Sequence, residues 1–185
     1  MTEFVIFNFT INMKRFTKSA IIFLALWGIQ NTSIAQKTFQ TVRGNKAHYT
    51  IEVPSDYSAK DKIGANIDLK YVNSEGASIV TTVRILPDGV KDEQITEMGS
   101  LSDAEVVNQL EANGMENVTL IKRGFLTINN VKSYFMYFTD ETLYYHSINQ
   151  FKRGKIINLT ITCEYSKKGT YMPYIFRVTN SLKHI

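Results

Sequence analysis

The side chains able to do nucleophilic, acid–base or metal chemistry are few and scattered. The 185-residue sequence holds three histidines, His48, His146 and His184, and a single cysteine, Cys163. The histidines fall in a first strand, a late strand and the last three residues, with no pair at a zinc-binding spacing. A lone cysteine excludes an intramolecular disulfide framework and a multi-cysteine zinc site. Cys163 alternates with Leu159 and Ile161 on an apolar strand face, which predicts a buried, inert thiol, because a reactive thiolate needs an electropositive and partly exposed setting. No Gly-x-Ser-x-Gly elbow, phosphate-cradling loop or dinucleotide motif is present, and the carboxylates lie on turns and helix surfaces. These residues predict a protein that is not an enzyme and needs no metal or cofactor.

Recognition chemistry is better represented. In Ile156–Tyr165, one side of the strand carries Ile157, Leu159, Ile161, Cys163 and Tyr165, while the other carries Asn158, Thr160, Thr162 and Glu164. One side reads as core and the other as a polar face. In the preceding strand Tyr144, His146, Ile148 and Gln150 share one side, and Leu143, Tyr145, Ser147, Asn149 and Phe151 share the other, so register decides which set joins the polar face. Tyrosine gives rigid contact area with a hydrogen-bonding tip. The expected binding face is therefore Tyr144, His146, Asn158, Thr160 and Thr162.

The elements that would position this face follow from the hydrophobic period. With 44% hydrophobic and 21% charged residues, the chain can bury a core. His48–Val53 alternates into Pro54, with Phe39–Arg43 as its pairing partner. Ile67–Val72 and Ala77–Leu86 form a hairpin around Asn73-Ser74-Glu75-Gly76, closed by Pro87-Asp88-Gly89. The period then changes to 3.6. Ser102 and Glu105 make a capping box, Ala104, Val107 and Leu110 recur with Val106 adjoining, and Gly114 ends the helix; Asp92–Met98 can form a short helical turn before it. Four strands follow, Val118–Ile128, Val131–Thr139, Leu143–Phe151 and Ile156–Tyr165, joined by hairpin-length connectors. A carboxy-terminal helix capped by Thr170 presents Tyr171, Ile175, Val178 and Leu182 on one stripe.

The first 35 residues carry an address. Lys14, Arg15 and Lys18 precede an apolar run from Ala20 to Ile29, followed by the small and polar Gln30–Ala35, the layout of a secretory signal peptide cleaved after Ala35. The run is about half the 20 residues a spanning helix needs. Residues 1–12 fit no part of such a leader, so translation is expected to start at Met13, leaving 36–185 as one exported domain, secreted or periplasmic, that touches a membrane only through the leader before cleavage. Beyond the leader 18 basic residues stand against 16 acidic ones. The doublets Lys122-Arg123, Lys152-Arg153 with Lys155, and Lys167-Lys168 each adjoin a glycine between apolar runs and read as solvated turns, so no nucleic-acid partner is expected.

The order of strands, hairpin, helix, meander and last helix is the α+β class, a mostly antiparallel sheet of about six to seven strands with helices packed on it. The strand into Val53-Pro54-Ser55-Asp56-Tyr57, the hairpin from Ile67 to Ile85, the capped helix at Ser102, the strand–turn–strand Gly124–Tyr134 and the final helix resemble the PsbP/Mog-like α/β/α sandwich superfamily over residues 39–184. That resemblance implies protein binding rather than catalysis and supplies no catalytic residues. The function expected is an exported, non-enzymatic domain that binds a partner protein, as an envelope accessory factor or an immunity-type protein. The alternative is a module for a small hydrophobic ligand or lipid, which would need a concave, mostly apolar pocket of several hundred cubic ångströms.

Overall fold

The computed structural model describes residues 37–61, 64–87 and 91–185. The start at Met13, the leader over 13–35 and the Asp88-Gly89 end of the Pro87 turn lie outside the described residues. Strands β1 (Phe39–Arg43) and β2 (Tyr49–Pro54) pair as a hairpin, and the two-residue β10 (Lys183–His184) adds to the other side of β2. A second, seven-stranded antiparallel sheet has the order β3 (Ser58–Ala59), β4 (Ile67–Val72), β5 (Ser78–Ile85), β9 (Lys155–Glu164), β8 (Leu143–Lys152), β7 (Val131–Thr139), β6 (Thr119–Ile128). The four long strands form the expected meander. Its turns Asn129-Asn130 and Arg153-Gly154 take positive φ at both central residues, the backbone that matches the twist of tightly connected strands.

One face of the large sheet meets the small sheet and helix α2 (Lys168–Ser181). Tyr49, Ile51 and Val53 alternate inward from β2, and Tyr171, Ile175 and Val178 come from α2 with Leu182 just after its end, all buried against Ile79, Ile148, Leu159 and Ile161. Each such apolar side chain contributes roughly 1.5–3 kcal/mol. Polar ties fix the helix at both ends. The Asn73 side chain donates to the Tyr171 hydroxyl at 2.9 Å, and Asn129 donates to the carbonyls of Asn180 and Leu182. Helix α2 starts three residues earlier than the Thr170 cap predicts, because a 3₁₀ turn over Tyr165–Lys167 feeds it directly, and no side chain caps it.

The opposite face carries the 3₁₀ segment Asp92–Gly99 and helix α1 (Asp103–Ala112). Ile95 packs with Tyr134 and Phe151 as a second, smaller core. The expected capping box is present: Ser102 Oγ accepts from Glu105 N at 3.2 Å, and the Glu105 carboxylate accepts from Ser102 N at 2.7 Å. Of α1, only Val106 is buried. Ser102→Ala is expected to cost about 1 kcal/mol and to speed amide exchange in the first turn of α1, with α2 unaffected. Among the described residues no helix is long and apolar enough to cross a membrane.

Candidate functional site

Across the β8–β9 pair, Tyr145 stands opposite Thr162, Ser147 opposite Thr160 and Asn149 opposite Asn158. Paired residues share a face. The register therefore gathers Asn158, Thr160 and Thr162, as expected, but joins them with Tyr145, Ser147 and Asn149. Tyr144 and His146 pair with Cys163 and Ile161 and point into the core under α2. The expected five-residue face is corrected on this point: three of its members are together, and two lie on the other side of the sheet. Counting outward from the two-residue Arg153-Gly154 turn yields this register, so the signal was in the sequence.

The polar residues floor a cleft. Its volume is about 440 Å³, and α1 lies over it. Asn158, Thr160, Ser147 and Asn149 form the floor, and Met98, Leu101, Leu110, Met115, Met136 and Phe138 supply the apolar walls. The floor is a connected set of hydrogen bonds. Asn158 donates to Ser147 Oγ at 2.8 Å and to Asn149 Oδ1 at 3.1 Å, and Thr160 Oγ1 donates to Asn158 Oδ1 at 2.9 Å. Amide and hydroxyl groups so arranged can turn to either donor or acceptor. At one rim Tyr145 donates to Asp140 Oδ2 at 2.6 Å. Burial first, and then that carboxylate, push the Tyr145 phenol above its ordinary range, so it stays protonated.

Arg123 ties the roof to the sheet. Its guanidinium donates to Asp103 at 2.6 Å, to the Leu101 carbonyl and to the Tyr134 hydroxyl at 3.2 Å. The roof is held at the start of α1, and the walls below are unbranched methionines, which adapt to irregular shapes. Titratable lining is confined to Arg84, Tyr134 and Tyr145. The arrangement can hold a molecule with an apolar body and a polar group.

On the core side His146 is fully buried, stacks on Tyr137 at 4.2 Å and meets Phe176 edge-on at 6.0 Å, and among the described residues neither ring nitrogen has a hydrogen-bond partner. Burial pushes its pKa down to about 4. A lowered histidine pKa means that the unfolded chain takes the proton first. The stability is therefore fully present above about pH 6.5 and is lost as pH falls toward 4, in total about 3 kcal/mol. Between pH 7 and pH 5 the wild type should lose about 2 kcal/mol more than His146→Phe in urea unfolding. Equal losses would remove His146 as the acid-sensitive group. Cys163 is buried as expected, with its thiol pushed up to about 11, first by burial.

The fold is the PsbP/Mog-like one. The solution structure of cyanobacterial PsbP (CyanoP) from Synechocystis sp. PCC 6803 aligns with a TM-score of 0.63 at 16% identity, covering 83% of this chain and 96% of that one. The Ran-binding protein Mog1p of Saccharomyces cerevisiae aligns at 0.52 with 9% identity, over 80% and 96%. LpqN of Mycobacterium tuberculosis, a protein involved in cell envelope biogenesis, aligns at 0.50 with 11% identity, over 86% and 95%. The sequence matches no protein-family model and none of the curated proteins.

Proposed function

From the PsbP/Mog-like fold and the cleft it frames, we propose that this chain is an exported, non-enzymatic binding domain that holds a small amphipathic molecule, lipid-like in having an apolar body and a polar end, between α1 and the sheet. One observation carries this: a cleft of about 440 Å³ with a hydrogen-bonded amide and hydroxyl floor and thioether and aromatic walls. Ligand sites fall at about 300–1,000 Å³ and combine mostly apolar lining with a few placed polar groups. The polar floor orients the ligand's polar end, and the methionines close around its body. Export rests on the leader of residues 13–35, and the fold shared with LpqN, involved in cell envelope biogenesis, fits that setting.

A second reading keeps the same cleft and changes the occupant to a segment of a partner protein. Phe125 is 38% exposed and packs at 5.3 Å on Tyr134 of the cleft wall, offering apolar contact area beside the opening. Mog1p, with the same fold, is a Ran-binding protein. Purification of the protein from its own envelope extract separates the two. Native mass spectrometry should show a bound mass of small-molecule size; a stoichiometric protein in its place would establish the second reading.

A further inference from the structure

At the β8–β9 turn the structure gathers positive charge. The β8–β9 turn is Lys152-Arg153-Gly154-Lys155, and the register sets Lys152 directly opposite Lys155. Like charges in that position are destabilising. Arg153 takes a φ of +52°, uncommon for a residue with a Cβ. An Asn-Gly turn would satisfy the same backbone with neither cost. Into this corner the β1–β2 hairpin brings His48 and β10 brings His184, and with Lys152, Arg153 and Lys155 they line a recess of about 60 Å³. That is about twice the share of one water in the liquid, room for a tetrahedral oxyanion and not for a nucleoside.

Positive side chains outnumber acidic ones around the recess, with Ile185 closing one side and Asp92 beside its turn. Among the described residues none of these side chains forms an ion pair with a carboxylate. Asp92 is the acidic group set against the turn, and both of its oxygens accept backbone N–H groups, of Arg153 at 2.9 Å and Gly154 at 3.4 Å. Lys155 Nζ donates to the Lys46 carbonyl at 2.8 Å, which anchors its stem while leaving its charge uncancelled. His184 is half-buried and oriented. Its Nε2 lies 3.0 Å from Gln150 Oε1, and the buried Gln150 amide is fixed by donating to Ser133 Oγ at 2.9 Å. An amide oxygen accepts only, so Nε2 carries the hydrogen and Nδ1 is left as the other hydrogen-bonding position.

We propose that this recess binds a phosphate-like dianion, as inorganic phosphate or the head of a phosphomonoester, held by Lys152, Arg153 and Lys155, with His184 as a proton-coupled fourth donor. Planar guanidinium and ammonium donors around one concavity suit a tetrahedral oxyanion. His184 is held below its ordinary range, first by burial and then by Lys152 and Arg153, with Asp92 opposing. A dianion reverses that field, so binding takes up a proton at His184.

The test is titration of the protein with inorganic phosphate, followed by NMR of the His184 ring and of the Arg153 and Gly154 amides, with chloride at matched ionic strength. Saturable shifts with phosphate only and a raised His184 pKa in the bound state are expected. The double variant Lys152→Gln/Arg153→Gly keeps the turn, because glycine suits the positive φ, and should weaken binding about tenfold or more at an unchanged far-UV spectrum. Vesicles of phosphatidylcholine with and without phosphatidic acid separate the sources. Phosphate-competed pelleting with phosphatidic acid assigns a lipid head, and phosphate binding with no pelleting assigns a soluble anion; either supports the site. Shifts linear in phosphate and matched by chloride, or equal affinity in the double variant, would overturn it.

Discussion

Asp68→Ala should be the most damaging single substitution in the domain, costing about 4 kcal/mol. Asp68 is fully buried. Its Oδ1 accepts from the backbone N–H groups of Asn45 and Lys46 at 3.0 and 3.1 Å, and its Oδ2 accepts from the Tyr49 hydroxyl at 2.9 Å. Tyr49 in turn accepts from Thr81 Oγ1 at 2.5 Å, and Thr81 accepts from Leu69 N. Alanine leaves the buried Tyr49 hydroxyl and the part-buried N–H groups of Asn45 and Lys46 without their acceptor, an orphaned buried donor alone being worth roughly 1–3 kcal/mol. For a domain of this size the midpoint of thermal unfolding should fall by roughly 10 °C. Asp68→Asn keeps Oδ1 for both amides and should cost markedly less.

The same spot explains Gly44. A Cβ there would lie 2.0 Å from Tyr49 Cε1 and 2.6 Å from Asp68 Oδ2, and neither buried group can retreat, so Gly44→Ala should approach the cost of Asp68→Ala. Urea unfolding checks all three variants. An Asp68→Ala protein within about 0.5 kcal/mol of wild type would show that the β1–β2 hairpin is not pinned to β4 through this carboxylate.

The second large effect is on binding. Thr160→Trp puts an indole on the floor of the cleft and should abolish ligand retention, a loss of at least about 100-fold in affinity. Thr162→Trp makes the same chemical change on the same strand and face, but Thr162 does not line the cleft, so retention should be unchanged. Both positions are half-buried β sites, where an aromatic side chain is well tolerated. The pair therefore separates blocking of the cleft from damage to the sheet. Equal retention in the two variants would place the bound molecule elsewhere.

The strong periodicities were legible. The alternation of His48–Val53 and the meander strands, the Ser102 capping box and the α2 stripe all recur in the structure at the expected residues. The two-residue strands β3 and β10 carry no period and could not be read, and β10 adds to β2 as the third strand of the small sheet. The candidate face failed at β8. Both sides of that interior strand mix aromatic with polar residues, and both sides carry buried residues, so hydrophobicity does not distinguish its faces. Turn length does, since the two-residue turn fixes Tyr145 against Thr162. The cleft itself had a faint signal in α1, whose short apolar set leaves only Val106 buried and too little side chain to fill the space below. The basic recess had none, because Lys152–Lys155, His48 and His184 meet only through tertiary structure.

Native mass spectrometry of the protein isolated from its own envelope extract, beside Thr160→Trp and Thr162→Trp, tests the binding-domain account most directly. A small amphipathic mass is expected on the wild type and on Thr162→Trp and absent from Thr160→Trp. An unliganded wild type, or a bound mass that Thr160→Trp retains, would contradict it.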